Sequence, residues 1–554
     1  MCGIIVKENS KINNIELLNH RGGNNSHIDK INNFSFAHNR LKLTGDLIQP
    51  FQSNGIMAVV NGEFYDYQPF IKEFGLTSNC DSEIIIPLYE KYGLNFIDYL
   101  NGEFSFVLYD SNKDILIFSR DRFGVKPLYF RLDENIHISS EIKVFDNLAF
   151  SDLSNTFSMQ YSKENIFNVS EVKPGRLYLY QNGKLSTKEY FTYNIGTSKS
   201  TIRTSMIDAV AKRIENQDVS LTLSGGIDSA LLSSISSHIL NRDIETFSVA
   251  FVDNDKFNEI DDIKKIIEHN NISKSNILYL DQETLFDNLE EAVIASEGIS
   301  VNIHVSAKYL LFKRIAEEGY KINISGEGSD ELFWGYQHLV SEVHDVEVPE
   351  ILKGYMNSSI DGINHTNLKY VPEFMKGKFE IGSIIHSIFL KNKIIEKVDF
   401  NINLEKPFLS HKLWLDLCFS PYILTTLGDK IEMAHNIEGR LPFLDKKLIE
   451  ESFSTDLKYK LNKIQLKDEF KDILPSFLID KPKHPFIGPQ LLSNKNVKEK
   501  IRILVRDDFN RDRFDIKSIL DNLDLMANDI TFNSAMMICL SVHYLEKNMI
   551  KLKS

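Results

Sequence analysis

Hydrophobic periodicity changes character once along this chain, and that change divides it into two unlike halves. Up to about residue 190, short apolar runs such as GIMAVVNGEF (55–64), FSFVLYD (104–110), ILIFSRDRFG (115–124), PLYF (127–130) and RLYLYQNGKL (176–185) alternate with glycine-bearing turns. This pattern predicts short strands joined by tight turns. After YFTYN, which ends at residue 194, TSKSTIRTSMIDAVAKRIENQ (197–217) carries apolar residues at helical spacing. Beyond it, the strand-like VSLTLS (219–224), TFSVAF (246–251) and KINIS (321–325) alternate with longer helical stretches, which indicates an α/β unit built on a parallel sheet. A β-rich α+β sandwich over 2–194 and an α/β domain over 197–554 are therefore expected, with the boundary at 192–200. Residues 340–420 and 490–554, including AMMICLSVHYL, read as packing helices.

Composition narrows the function classes. With 42% hydrophobic and 25% charged residues the chain is of the globular type. No run approaches 18 uninterrupted apolar residues, and the N-terminus lacks a basic segment followed by an apolar one. Neither a membrane span nor a signal peptide is expected, and a cytoplasmic location follows. A net charge of −14 argues against nonspecific binding to nucleic acid or anionic membranes. The four cysteines, Cys2, Cys80, Cys418 and Cys539, form no CxxC pair, and the 15 histidines no HExxH, so neither a disulfide framework nor a zinc site is suggested.

Three segments carry chemistry. Cys2 directly follows the start methionine; once Met1 is removed, one residue supplies a thiol and an α-amine able to accept its proton near neutral pH. In VSLTLSGGIDSALLSSI (219–235), a strand runs into Gly225 and Gly226 and then a helix, an arrangement that lets backbone amides and the helix N-terminus attract a phosphate. It is not a Walker A loop, since GxxxxGK[ST] is absent. In KINISGEGSDELFWGY (321–336), Glu327, Asp330 and Glu331 crowd beside two glycines, which calls for a compensating cation or solvent. Mg2+ shared by Asp228 and Asp330 is the resulting expectation. NGEF occurs twice, at Asn61 and Asn101, and both copies read as a turn entering a strand.

SGGIDS resembles the pyrophosphate loop of the PP-loop ATP pyrophosphatases. With MCGI, AHNRLKL, VVNGEFYDY, CDSEII, LNGEFSFVLYD, RDRFGVKPLYF, SSEIK, VKPG, SGEGSDELF, MAHNIEGRLPFLD and KPKHPF in the same order, the chain resembles the glutamine-dependent asparagine synthetases from Cys2 to about Pro489. That resemblance implies an Ntn-hydrolase-type class II glutamine amidotransferase domain followed by a PP-loop synthetase domain. It implies Cys2 as nucleophile and Asn61 with the Gly62 amide as oxyanion hole, fitting donors at a tight Asn-Gly turn. Arg40 would take the glutamine carboxylate, Glu63 and Asp81 its α-amine, and Leu43 would add backbone contacts. On the synthetase side, Leu223, Val249, Ser325 and Gly326 would line the adenosine site. Ser224, Gly225, Gly226 and Ser229 would hold pyrophosphate, with Asp228 on Mg2+. Glu327 would serve adenylate formation and ammonia attack, and Lys463 the phosphates of the intermediate.

The implied reaction amidates the aspartate side chain with glutamine nitrogen through an acyl-adenylate, with ATP as co-substrate and an internal ammonia channel. Its partners are small molecules, and a homodimer is left open. Two departures matter: HRGGNN (20–25) stands where the family has Arg-Gly-Pro-Asp, in a loop expected to cover glutamine, and Trp334 stands where glycine is usual, beside the expected acceptor pocket. They keep two alternatives open, the same chemistry on another carboxylic acid and a noncatalytic nucleotide-binding relative.

Overall fold

The computed structural model describes residues 2–23, 25–151, 153, 157, 166–192, 196–215, 217–252, 258–336, 338–340, 373–391, 408–481 and 488–550. Its first half is a sandwich of two antiparallel sheets. One runs, in spatial order, β10 (Ser170–Glu171), β8 (Tyr129–Leu132), β9 (Ile136–Ser139), β1 (Cys2–Glu8), β3 (Phe34–Arg40) and β2 (Ser26–Ile31). The other runs β12 (Lys184–Glu189), β11 (Arg176–Gln181), β7 (Ile115–Arg120), β6 (Asn101–Asp110), β5 (Ile56–Tyr65) and β4 (Phe51–Ser53). Ile4, Val6 and Phe36 of the first sheet meet Val59, Val107 and Phe118 of the second. The outer face of the second sheet, through Ala58, Val60, Phe104 and Phe106, packs under the helix Ile85–Tyr92. Burial on both faces is why these strands read as continuous apolar runs instead of alternating ones.

The two NGEF copies pair with each other. Gly62 lies opposite Phe104, Glu63 opposite Glu103 and Phe64 opposite Gly102. Asn101 does begin a strand, but Asn61 and Gly62 lie inside β5, which corrects the expected turn there. Glycine is required at both central positions: φ is +143° at Gly62 and +155° at Gly102, and a Cβ would sit 2.1 Å and 2.0 Å from the carbonyl oxygens of Glu103 and Glu63. A true Asn-Gly turn joins β11 to β12 at Asn182 and Gly183, with φ of 51° and 70°.

The second half holds a five-stranded sheet, with every neighbour parallel, in the order β15 (Ser275–Leu280), β14 (Glu245–Phe251), β13 (Ser220–Thr222), β16 (Ile322–Ile324) and β17 (Glu438–Arg440). β13 stops at Thr222, two residues short of the sequence reading, and the next helix spans Ile227–Ser234. β17 was not anticipated, because a strand of Glu, Gly and Arg carries no apolar signal. Of the expected boundary, Tyr193, Asn194 and Ile195 lie outside the described residues. By Gly196 the chain is already bound to the second half, its N–H donating to Phe453 O at 2.6 Å. Much of 340–420 also lies outside them; within it, Glu373–Ile384 and Phe408–Trp414 are helical. AMMICLSVHYL belongs to the helix Ile530–Leu545, buried from Phe532 onward.

Charged side chains join the halves. The buried Arg213 reaches Glu103 at 2.7 Å and Asp445 at 3.3 Å. Asn101 donates to Asp445 Oδ2 at 3.0 Å and accepts from the Lys446 N–H at 3.0 Å. The second NGEF therefore serves the junction as well as its strand. No helix among the described residues is long and apolar enough to cross a membrane.

Gly102→Ala should lower stability by about 3 kcal/mol or more, since its methyl meets fixed backbone. Gly183→Ala, with nothing within 4 Å of the new Cβ, should cost about 1 kcal/mol. Urea denaturation midpoints measure both.

Candidate functional site

At the sandwich end, Cys2 opens β1 opposite Arg40 at the end of β3. Its N–H donates to Asn61 Oδ1 at 2.8 Å. Asn61 Nδ2 is buried with no hydrogen-bond partner among the described residues, so a donor is left over beside Cys2. Burial pushes the Cys2 thiol above its ordinary range. Below it lies Arg21, fully buried, whose Nε donates to Cys2 O at 3.1 Å while its other nitrogens reach Glu141 at 2.7 Å and Asp429 at 2.5 Å. Burial alone would ease the proton off this guanidinium; Asp429 and then Glu141 outweigh it and hold the charge.

HRGGNN begins as part of this buried support. Arg21 is a tie beneath Cys2, and Gly22 leaves no room for a Cβ, which would fall 2.5 Å from Asn39 Oδ1. Gly23 has φ +65°, which proline cannot adopt. Asn24 lies outside the described residues.

Glu63 and Asp81 form a strained pair. Glu63 accepts from Thr44 Oγ1 at 2.7 Å, and Asp81 Oδ2 from the Phe64 N–H at 2.8 Å. Burial and then the Asp81 charge push Glu63 well above the usual carboxylate range, and burial pushes Asp81 up to about 6. Two carboxyl groups in that condition form a site that a cation would stabilise. Arg440, from β17, stands 3.6 Å from Glu63 and donates to Glu438 at 2.7 Å. Arg40 spends its guanidinium on the carbonyls of Thr44 and Gly45, both at 2.8 Å, so here it shapes the 44–47 loop. Leu43 packs, half-buried, on the core of the second half.

At the other end, Ser229 Oγ ties the glycine loop, accepting from the Ser224 N–H at 3.0 Å. The Gly225 N–H donates to Glu259 Oε2 at 3.0 Å, and Lys481 donates to Gly225 O at 2.9 Å and Asp262 at 2.7 Å. Gly226 caps the helix that begins at Ile227. The rest of KPKHPF lies outside the described residues. Gly326 lets the second loop approach the first, since a Cβ there would be 2.9 Å from Asp228 Cβ. Ser325 Oγ is buried beside the Glu327 carboxyl group, on which it bears. Val249 is half-buried on β14. Leu223 turns its side chain into the core, and its N–H and carbonyl are both taken by β14, so it can offer a ligand little more than its position.

Lys463 joins the two loops. Its ammonium lies 2.6 Å from Asp228 and 2.6 Å from Asp330. Asn462 and Lys463 are both left-handed, with φ of 55° and 62°, a costly conformation for lysine held by N–H bonds to Trp334 O (3.0 Å) and Phe333 O (3.1 Å). Two carboxylates converging on one cation position fit Mg2+, which takes one or two carboxylates and completes its shell with phosphate and water. No group of three candidate ligands exists among the described residues, so phosphate oxygens would have to finish the shell. Glu327 pairs with Lys308 at 2.6 Å; burial would raise its pKa, but the Lys308 ammonium outweighs this and holds it below the ordinary range.

Trp334 is fully buried and stacked on His411 with centroids 4.7 Å apart, and its carbonyl holds Asn462 beside Lys463. Sequence reasoning missed Arg440, Glu438, Asp429, Lys308 and the buried role of Arg21. A lysine in AKYLLFKR looks like any solvated helical lysine until its partner in space is known.

The raised Asp81 has a sign that can be tested. A carboxyl that ionises less readily when folded adds stability below its unfolded pKa, near 4, and loses it as pH rises through about 6. Asp81→Asn should therefore gain about 2 kcal/mol relative to the native chain between pH 4 and pH 7, read from denaturation midpoints without ligand.

A glutamine amidotransferase domain matches residues 1–191, and asparagine synthase matches residues 201–527. A Gibberella zeae protein named amidase chry2 is 26% identical, covering 80% of this chain and 78% of its own. Asparagine synthetase B of Escherichia coli is 28% identical over 61% of this chain and 64% of its own, and an asparagine synthetase of Bacillus subtilis is 24% identical over 88% and 87%. With the synthase match spanning more than half of its length, the chain belongs to the glutamine-hydrolysing asparagine synthase family.

Proposed function

We propose that this chain takes nitrogen from glutamine at Cys2 and uses ATP to attach it to a carboxylic acid, with aspartate the first acceptor to test. The observation that carries the reading is Lys463 drawing Asp228 and Asp330 onto one point beside the glycine loop. After Met1 is removed, the Cys2 amine takes the thiol proton and the sulfur attacks the glutamine amide carbon. Asn61 Nδ2 and the Gly62 N–H steady the oxyanion, the proton passes to departing ammonia, and water returns the thioester to glutamate and thiol. Glu63 and Asp81 would receive the glutamine ammonium, which would relieve their mutual repulsion.

In the second half, an acceptor oxygen attacks the α-phosphorus of ATP and pyrophosphate leaves, with Lys463 offsetting the charge that develops. Ammonia then adds to the acyl-adenylate carbonyl, AMP leaves, and Glu327, kept ionised, is placed to receive the proton shed by nitrogen. Mg2+ held by Asp228 and Asp330 would supply charge screening to the phosphates.

A second reading, the same chemistry on another acid, is supported by Lys308. Because Glu327 already has a cation from within the chain, an acceptor need not bring an ammonium of its own. Similarity to proteins named amidases over some four fifths of the chain points the same way.

Cys2→Ala should abolish glutamine-driven product while synthesis from ammonium persists, and Lys463→Ala should slow pyrophosphate release at least about 100-fold. A panel of acids, assayed for glutamine-dependent AMP, identifies the acceptor. No AMP with any acid from correctly processed protein would overturn the reading.

A further inference from the structure

Between the two ends lies a buried carboxyl group that neither reaction uses. Glu432 is 6% exposed; its carboxylate makes no hydrogen bond or ion pair with the described residues, and neither oxygen is fully shut off from solvent. Room for it is made by Gly439: a Cβ there would fall 2.0 Å from Oε2 and 2.6 Å from Oε1. Gly439 sits in β17 between Glu438 and Arg440, whose side chains reach the Glu63 pocket, and it pairs with Asn323 in β16, which leads into the Ser325–Glu327 loop. The charged groups that bear on Glu432 come from both directions. Lys126, on the sandwich side, donates to Gly439 O at 3.2 Å and stands 3.5 Å from Asp429, the partner of Arg21 under Cys2. Lys308, on the synthetase side, is the partner of Glu327. A largely buried carboxyl group without a partner is costly to ionise, so its presence here calls for a reason.

We propose that Glu432 is a transit residue for the nitrogen passing from Cys2 to Glu327, accepting N–H from ammonia and taking the extra proton from any ammonium that forms. In that step one N–H bond breaks, its electron pair stays on nitrogen as ammonia, and the proton joins a Glu432 oxygen; the carboxyl group releases it to water between turnovers. Burial, with the Asp429 and Glu327 charges adding to it against Lys126 and Lys308, pushes Glu432 up to about 7, where it can both take and return a proton near neutral pH.

The inference rests on the proposed reaction, so its readout is coupling: amide formed per glutamate released, with an acid the native protein accepts. In the native protein this ratio should fall as pH drops below about 7 and Glu432 becomes protonated. Glu432→Gln should lower it at least threefold at pH 7.5 and flatten that pH dependence. Gly439→Ala, whose methyl displaces the carboxylate, should do the same with Glu432 intact. Ammonium-driven synthesis by each variant normalises for damage to the synthetase site. A ratio in the native protein that does not change with pH, or native coupling in both variants, would overturn the role of Glu432 and leave the reaction standing; failure of the native protein to couple at all would overturn the reaction itself.

Discussion

Arg21 is the side chain on which the arrangement of the molecule turns. A guanidinium removed entirely from water is tolerated only where acceptors compensate its charge, and here they are Glu141 from the sandwich, Asp429 from the second half and the carbonyl of Cys2. Cys2 is thus held in part by a residue more than 400 positions away. Losing either carboxylate would leave a buried charge unbalanced directly beneath it.

β17 performs the corresponding task from the other side. Three residues with no apolar content form the edge of the parallel sheet because each has a separate demand: Glu438 neutralises Arg440, Gly439 leaves space for Glu432, and Arg440 faces Glu63. The Ser325 N–H, at the head of the acidic loop, donates to Arg440 O at 3.3 Å. One short strand therefore touches Glu63 with a side chain and the acidic loop with its backbone.

What could be read from the sequence follows from how locally each feature is built. The alternation of strands and helices, the glycine loop and the acidic loop are contiguous, so their residues announce themselves, and the structure brings Asp228, Asp330 and Lys463 together. Asn61 was legible as a residue but not in its setting, because the glycine after it suggested a turn, whereas it answers a close strand crossing with the second NGEF. Arg21, Lys308, Glu432 and Arg440 were illegible as partners, since each is defined by groups far along the chain. Trp334 could be placed in its motif but not in its packing, since contacts far along the chain decide which way an indole faces, and it is buried against His411.

Lys463 also has a bearing on which form of a metal the two loops would accept. By sitting between two acids that would otherwise repel, it offsets one of their two negative charges. A bare divalent ion would have to evict an ammonium and gain only two ligands in exchange, while one arriving already clasped by a triphosphate carries most of its shell along and gives the displaced lysine new anions to hold. If the nucleotide binds as proposed, this arrangement would favour metal that arrives with it over free metal, without any separate gate.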